Sequence, residues 1–291
     1  MYTIGVDLGG TKIHGILVHS GKRVIERIHL EHEKKTRESV LEALYRVVGA
    51  LHRISHKRRV PVGLGVPSVL DPTKEVLLNP PNVPSLKGLR LAAWLRKRLR
   101  VRVKMENDAR CFVLGAVRQL GFKRRRNGKP FTAVGVTVGT GLGGGVWRGG
   151  NLWDGAHGIA GSIGHTVAYP NGERCACGRR GCLEMYASRK FLMRVSGKEP
   201  KELERLATAG NRRARSAYEQ LGHNLGIGIA SIVRTMDPDV FVLGGGISKA
   251  HKLFLPSAKR AVMAAVPSSA QNVPIVPSVL RITRNERRLP I

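Results

Sequence analysis

The stretch VGVTVGTGLGGG, residues 134–145, decides the fold of this chain, because it echoes IGVDLGGTKIHG at residues 4–15. Each stretch runs from an apolar strand through a glycine-rich turn into a second strand. A glycine-rich turn by itself is most often only a hairpin. Its repetition at an offset of 130 residues predicts two similar α/β domains around a cleft, each with a turn whose amides can bind phosphate.

Apolar periodicity and turn signals order the rest of the 291 residues. Strands are predicted at YTIGVDL, KIHGILVH, KRVIERIHL, PVGLGVPS, VRVKMEND and DPDVFVLG. Helices are predicted at residues 37–55, 91–99, 109–120, 184–195, 201–209 and 212–236. The basic stretch Lys123–Pro130 contains Gly and Pro and is predicted to be a linker, which gives domains of residues 1–122 and 123–291.

The chain is strongly basic. Its 50 Lys and Arg residues against 20 Asp and Glu give a net charge of +30 at pH 7. Such a charge suggests nucleic acid as a partner, because binding releases phosphate counterions. The charge is spread, however, and with 5% aromatic residues the platforms for stacking bases are scarce, so we favour a solvated basic surface. The densest basic runs are His56–Arg59, Arg96–Arg102, Lys123–Arg126 and Arg212–Arg215.

The composition also indicates in which cellular compartment the protein is expected. No stretch approaches the ~18 apolar residues that a membrane-spanning helix needs, and the first strand follows Met1 without a signal-peptide pattern. With 42% hydrophobic residues and 35 glycines, the chain has the composition of a globular α/β protein with many turns. We expect a cytoplasmic protein with no membrane partner.

The segment HTVAYPNGERCACGRRGCLE, residues 165–184, carries one His and three of the four cysteines. His165, Cys175, Cys177 and Cys182 offer the imidazole and thiolates that structural zinc prefers. The alternative is a disulfide beside a surface His, but cysteines two residues apart bridge poorly and a third thiol would stay unpaired. The spacing therefore predicts a structural zinc site.

Further polar and glycine-rich patterns follow predicted strands. VRVKMEND places Asn107 and Asp108 at the C-terminal end of a strand, where ligands bind in open α/β sheets. These residues could instead cap the following helix, and capping is compatible with catalysis. Cys111 lies on that helix and is predicted to be a buried thiol. A third glycine-rich turn, Gly244–Gly246, is predicted to open a helix.

The three glycine-rich turns, the END sequence, GIAGSIGH at 158–165 and CACGRRGCLE at 175–184 together resemble the ROK family. This family comprises sugar kinases and related repressors with the actin-like, ribonuclease H-like ATPase fold. For the kinase branch, the resemblance implies transfer of the γ-phosphate of MgATP to a hexose such as glucose. It also implies a homodimer. The repressor branch has a winged helix before the first turn, whereas here that turn begins six residues after the start, which favours the kinase branch.

The resemblance also implies a role for each matching residue. Asp108 would accept the proton of the attacking sugar hydroxyl, and Asp7 would hold Mg²⁺. His165 would use one ring nitrogen for zinc and the other for the sugar. The implied sugar ligands are Asn82, Asn107, Asp108, Ser162, His165 and Glu184, with Gly65 a further candidate. The implied ATP and Mg²⁺ ligands are Asp7, Gly9, Gly10, Thr11, Lys12, Gly139, Thr140, Gly141, Gly244, Gly245 and Gly246.

One position departs from the family pattern. The family usually has E-x-G-H where this chain has Ser162 three residues before His165. That Glu contacts sugar hydroxyls, and an unpaired hydroxyl costs about 1 to 3 kcal/mol. The expected activity is a hexose kinase acting on the 6-hydroxyl of glucose or a related hexose. The alternative is a sugar-binding, regulatory ROK protein with weakened catalysis.

Overall fold

The structure, a computed structural model, describes residues 1–21, 23–32, 36–57, 59–121, 129–278 and 287–288. The chain forms two compact units. The first comprises Met1–Cys111 with Ala156–Gly158 and the segment from residue 281 onward, and the second comprises Phe112–Gly155 and Ile159–Leu280. The predicted linker Lys123–Pro130 lies for the most part outside the described residues, so a domain boundary between residues 122 and 123 stays a prediction.

The first unit contains a mixed sheet. Its elements are β1 (Tyr2–Leu8), β2 (Lys12–His19), β3 (Arg23–Glu31), α1 (Arg37–Ile54), β4 (Val62–Val66), β5 (Val69–Leu70), β6 (Leu77–Asn79), α2 (Leu91–Leu99), β7 (Val103–Asn107) and the start of α3 (Asp108–Gln119). The strand order is β3-β2-β1-β4-β7, in which β1, β2 and β3 pair antiparallel and β1, β4 and β7 pair parallel. The short strands β5 and β6 form a separate hairpin.

The second unit contains a five-stranded sheet with helices. Its elements after α3 are β8 (Thr132–Val138), β9 (Leu142–Arg148), β10 (Asn151–Leu152), α4 (Arg189–Ser196), α5 (Pro200–Thr208), α6 (Arg212–Met236), β11 (Val240–Gly244), α7 (His251–Ala265) and β12 (Ile275–Pro277). The strand order is β10-β9-β8-β11-β12. A last strand, β13 (Arg287–Arg288), pairs parallel with β3 in the first unit.

The two sheets share one plan, as the sequence repeat predicts. In each, the repeated stretch forms an antiparallel hairpin around its glycine-rich turn, β1 with β2 and β8 with β9. In each, the first strand of that hairpin pairs on its other side with a parallel strand, β4 beside β1 and β11 beside β8. The expected fold of two similar α/β units is therefore confirmed.

Helix α1 covers one face of the first sheet. Ile4, Val6 and Leu8 alternate along β1 and are buried, as a strand with one covered face requires. Gly15 on β2 allows the close approach, because a Cβ there would lie 2.6 Å from Val47 Cγ1 of α1. Thr36 caps the N-terminus of the helix, because its hydroxyl accepts a hydrogen bond from the Ser39 amide.

Helices α6 and α7 pack closely in the second unit. A Cβ at Gly222 would lie 2.1 Å from the Phe254 carbonyl oxygen, and one at Gly226 would lie 2.5 Å from that of Ala258. The glycines of α6 therefore allow close packing of the two helices. Although α6 has 25 residues, no helix among the described residues is long and apolar enough to cross a membrane.

One helix prediction is wrong at its N-terminal end. A helix is expected over residues 184–195, but α4 begins at Arg189 and Leu183–Met185 forms a 3₁₀ turn. The cause is long-range: the Glu184 carboxylate accepts a hydrogen bond from the Leu142 amide, and the Arg189 amide donates to the Gly139 carbonyl. The glycines at 244–246 likewise lead into a 3₁₀ turn, Ile247–Ala250, before α7.

The α6 packing generates a test with a matched control. Gly226→Ala is expected to lower the free energy of unfolding by about 1 to 3 kcal/mol, because the new methyl group meets the backbone of α7. Gly49→Ala in α1 meets only the tip of Arg53, at 3.7 Å, so it should raise stability by up to ~1 kcal/mol through helix propensity. Urea denaturation measures both. Equal effects of the same sign would contradict the packing argument.

Candidate functional site

Two carboxylates lie at the C-terminal ends of strands in the first unit. Asp7 is near the end of β1, and Asp108 follows β7 as the first residue of α3. Gly65 of β4 lies in register with Asp7 and stands between the two strands. A Cβ at Gly65 would lie 3.8 Å from Asp108 Cα and 3.5 Å from Cys111 Sγ, so the start of α3 packs closely on β4. The sheet thus holds both carboxylates at one edge.

The surroundings raise the pKa of both groups. Partial loss of hydration raises the pKa of Asp108 to about 6, the nearby charge of Asp7 adds to this rise, and a hydrogen bond from the Ala109 amide opposes it. Loss of hydration also raises the pKa of Asp7. Both side chains nevertheless remain exposed enough to meet a ligand. Asp108 is therefore ionised at pH 7 yet more basic than an ordinary carboxylate.

The three residues of the END sequence, 106–108, make different contacts. Asn107 caps α3 by accepting a hydrogen bond from the Arg110 amide at 3.2 Å, as the capping alternative predicted. Glu106, which the sequence left without a role, contacts Lys74 Nζ at 2.6 Å and Arg110 Nε at 3.0 Å. These two cations neutralise Glu106, so it adds little repulsion to the neighbouring Asp108.

The first glycine-rich turn joins β1 to β2. The Gly9 amide donates to the Lys12 carbonyl at 2.8 Å, and a Cβ at Gly9 would lie only 2.8 Å from that oxygen. His32, which sequence patterns did not indicate, holds this turn from the end of β3. Its Nε2 donates to the Gly9 carbonyl at 3.1 Å, and its amide donates to the Thr11 carbonyl at 2.9 Å.

The second and third glycine-rich turns lie together at the C-terminal ends of β8 and β11. These strands pair in parallel, and a Cβ at Gly139 would lie 4.0 Å from the Gly246 amide nitrogen. Gly245 adopts φ +86° and would place a Cβ 2.4 Å from the Val138 carbonyl oxygen, so only glycine fits there. The predicted residues Gly139, Thr140, Gly141 and Gly244–Gly246 thus form one group within the second unit.

Glu184 supports the second turn. Its Oε2 accepts a hydrogen bond from the Leu142 amide at 3.0 Å, and Lys190 Nζ contacts Oε1 at 3.1 Å. A Cβ at Gly141 would lie 2.4 Å from Oε2, so the carboxylate occupies the space beside the turn. The sequence predicts a sugar ligand here and gives no sign of this structural role. Carboxylate oxygens accept more than one hydrogen bond, so the two roles are compatible.

The predicted zinc ligands converge. One donor atom from each of His165, Cys175, Cys177 and Cys182 lies within 4.8 Å of all the others. Cys177 Sγ and Cys182 Sγ are 3.6 Å apart, and His165 Nδ1 lies 3.7 Å from Cys175 Sγ. A tetrahedral ion with Zn–S bonds of about 2.3 Å requires donors about 3.8 Å apart. The donor set and spacing therefore fit zinc, and the sulfur separation does not fit a disulfide.

Tight backbone turns hold this cluster. The Cys175 amide donates to the Arg179 carbonyl, and the Gly178 amide donates to the Cys175 carbonyl. Gly178 adopts φ +90° and Gly181 adopts φ +73°, conformations that favour glycine. Cys182 is buried and pairs with Val167 in an isolated bridge, so the thiol that closes the cluster is anchored by backbone contacts.

The remaining predicted residues are distributed over both units. Ser162 precedes the 3₁₀ turn Ile163–His165 and accepts a hydrogen bond at its carbonyl from the amide of His165, the last residue of the turn. Asn82 lies half-buried in the turn before Pro84 in the first unit. Cys111, predicted to be buried, is half-buried, and loss of hydration raises the pKa of its thiol to about 12, so the thiol stays protonated near neutral pH.

Fold and site together define a protein of the actin-like ATPase class. The sequence model of the ROK family matches residues 3–284, and the chain belongs to this family. It is 32% identical to the glucokinase of Thermotoga maritima, over 95% of this chain and 92% of that protein. It is 27% identical to the xylose repressor of Bacillus spizizenii, over 96% of this chain and 73% of the repressor.

A solved structure agrees with this assignment. A ROK family glucokinase from Streptomyces griseus, in complex with glucose and AMPPNP, superposes with a TM-score of 0.81 at 27% identity. The match covers 96% of this chain and 95% of that chain. The chain is thus related over nearly its whole length both to sugar kinases and to repressors.

The cysteine cluster generates a metal prediction. Purified protein is expected to contain one zinc per chain, and Cys177→Ser should lose most of it because one thiolate is removed from an exposed position. Cys111→Ser is the matched control and should keep the full content, since Cys111 is not part of the cluster. Elemental analysis measures both. Absence of zinc with a mass decrease of two hydrogens would indicate a disulfide instead.

Proposed function

We propose that this protein is an ATP-dependent hexose kinase that transfers the γ-phosphate of MgATP to a sugar hydroxyl, the 6-hydroxyl of glucose or a related hexose. The observation that carries this proposal is the carboxylate pair of Asp7 and Asp108, in which Asp108 has a pKa raised to about 6. Glucokinase relatives at about 30% identity support the same activity.

Asp108 suits the role of general base. A sugar hydroxyl is a weak nucleophile, so a carboxylate must accept its proton as the bond to phosphorus forms. Desolvation makes Asp108 a stronger proton acceptor than a free carboxylate, while the Ala109 amide holds its Oδ1 in place at 2.8 Å. The position at the N-terminus of α3 fixes the side chain without blocking access to it.

The phosphates would be bound by backbone and side-chain groups of the glycine-rich turns. Gly9–Lys12 supply these groups in the first unit, and Gly139–Gly141 supply them in the second. Asp7 offers the carboxylate oxygen that Mg²⁺ prefers, and the ion would neutralise phosphate charge. Gly244–Gly246 would contact the adenosine. ATP and Mg²⁺ binding by these residues is part of the proposal.

The sugar would be bound by Asn82, Asn107, Asp108, Ser162, His165 and Glu184. His165 Nδ1 faces Cys175 Sγ, which leaves Nε2 available for a sugar hydroxyl. Zinc would hold His165 and, through Cys182, the segment that carries Glu184, without taking part in proton or phosphate transfer. Its proposed contribution is to fix the geometry of the sugar ligands.

Ser162 favours a second candidate function, a sugar-binding regulatory protein with weakened catalysis. A serine in place of the family Glu removes a carboxylate acceptor for sugar hydroxyls. Repressor relatives that match 96% and 93% of this chain support a regulatory role as well. Against it stand Asp108 and the three glycine-rich turns, all with the side chains or backbone that phosphoryl transfer needs.

The deciding experiment measures ADP release from MgATP with a panel of hexoses and N-acetylhexosamines. One sugar is expected to stimulate release, and Asp108→Asn should lower kcat at least 100-fold by removing the base. Because the base works only when ionised, kcat/KM should fall about tenfold per pH unit below pH 6 and level off above it. Asp237→Asn, an exposed carboxylate after α6, is the control and should not change the rate. Sugar binding without turnover in the zinc-loaded protein would favour the regulatory function.

His32 generates a second kinetic prediction. His32→Ala removes the hydrogen bond to the Gly9 carbonyl and should raise KM for MgATP about five- to tenfold, the effect of one net hydrogen bond, with little change in kcat. His32→Gln keeps an N–H donor and should recover most of the affinity. A fall in kcat at unchanged KM, or equal behaviour of Gln and Ala, would contradict this positioning role.

A further inference from the structure

Two basic runs that are distant in sequence meet at one end of the first unit. The run 56–59 lies between α1 and β4, and the run 96–102 comprises the last turn of α2 and its connection to β7. Strands β4 and β7 are parallel neighbours, and the Val62 amide donates to the Arg102 carbonyl at 2.8 Å. The two connections therefore lie side by side. We call the exposed basic residues of the two runs the basic end: His56, Lys57, Arg59, Lys97, Arg98, Arg100 and Arg102.

The backbone of the basic end is anchored. Val60 and Val101 are buried in the core of the first unit, and the Val60 amide donates to His52 Nε2 at 3.3 Å. Arg100 ends α2 in the left-handed conformation, with its amide bonded to the Arg96 carbonyl. These contacts hold the connections in place while their cationic side chains extend into solvent.

No acidic residue adjoins this charge along the sequence, and Arg96, which is paired with Glu75, is not counted in the basic end. The sequence contains no Asp or Glu from residue 43 to 70 or from residue 76 to 105. Cations at helix C-termini are common because they complement the helix dipole, an effect confined to the last turn. Lys57, Arg59 and Arg102 lie beyond the ends of α1 and α2, so the dipole does not account for them.

The basic end is separate from the proposed kinase site. It precedes β4 and β7, whereas Asp7 and Asp108 lie at the opposite, C-terminal ends of β1 and β7. Five residues of strand at about 3.3 Å each put roughly 15 Å between the two edges. Its cations therefore do not serve the phosphate turn of the first unit.

We infer that the basic end binds the phosphodiester backbone of a nucleic acid without base recognition. Four of its six permanent cations are Arg, whose planar guanidinium group can pair bidentately with phosphate. Aromatic stacking does not contribute, because Arg98 already lies over the Trp94 ring, 4.9 Å from its centroid. Neither connection exposes a large hydrophobic side chain among the described residues, whereas membrane-surface binding uses such side chains.

The test compares two variants of equal net charge in the full chain. The site variant is Arg59→Gln, Arg100→Gln and Arg102→Gln. The control is Lys201→Gln, Arg212→Gln and Arg213→Gln, which removes three exposed cations from the second unit. Fluorescence anisotropy measures the Kd for labelled duplex DNA and duplex RNA of mixed sequence between 50 and 200 mM salt. Co-sedimentation measures binding to vesicles of phosphatidylserine and phosphatidylcholine.

Unmodified protein is expected to bind duplexes with a Kd of about 10⁻⁴ to 10⁻⁶ M. The site variant should bind at least tenfold more weakly at 100 mM salt. For this variant, the slope of log Kd against the logarithm of the salt concentration should be smaller by up to about 2.7, which is about 0.9 for each lost phosphate contact. The control should change Kd less than threefold, and thermal melting should show both variants folded. The two duplexes distinguish DNA from RNA as the preferred source of phosphate.

Three results would overturn the inference. Equal weakening in both variants would mean that only net charge matters. Failure of the unmodified protein to bind either duplex at 50 mM salt would remove the interaction. Binding to vesicles that exceeds binding to duplexes and is lost in the site variant would identify a membrane surface instead. None of these outcomes depends on the kinase activity, which is measured separately.

Discussion

The first unit depends on holding two carboxylates, Asp7 and Asp108, at the same edge of one sheet. Loss of hydration and mutual repulsion both oppose this arrangement, and the pKa of Asp108, about 6, reflects them. Neighbouring groups offset part of this cost. The Ala109 amide donates to Asp108, and Glu106, which would be a third negative charge, is paired with Lys74 and Arg110. Because Glu106 is paired, it does not raise the pKa of Asp108 further, and Asp108 stays ionised at neutral pH.

The second unit uses a carboxylate differently. Glu184 follows the zinc-ligand cluster by two residues and accepts a hydrogen bond from Leu142 at the exit of the second glycine-rich turn. One short segment thus joins the residues that can hold a metal to the residues proposed to bind phosphate. In the first unit, His32 fixes the first glycine-rich turn by donating a hydrogen bond to the Gly9 carbonyl. In each unit, a side chain distant in sequence fixes a turn that glycine alone would leave flexible.

Local patterns predicted most elements of the fold. The two hairpins follow from alternating apolar residues around glycines, and α6 spans Arg212–Met236 as its periodicity predicts. The grouping of His165 with three cysteines follows from ligand chemistry. Other features rest on hydrogen bonds or ion pairs to partners 4 to 50 residues away. These are the roles of His32, Glu106 and Glu184 and the start of α4 at Arg189. Most such contacts leave no periodic signature in the sequence.

Sheet topology explains why charge that is spread along the sequence gathers in space. In a parallel sheet, every connection from a helix into a strand returns to the same edge, and every connection out of a strand leaves from the other. Residues 56–59 and 100–102 belong to the first kind of connection, and Asp108 belongs to the second. The cations of the basic end and the carboxylates of Asp7 and Asp108 therefore lie at opposite edges of the first unit. A polyanion bound at one edge need not compete with a nucleotide bound at the other, because the length of the strands lies between them.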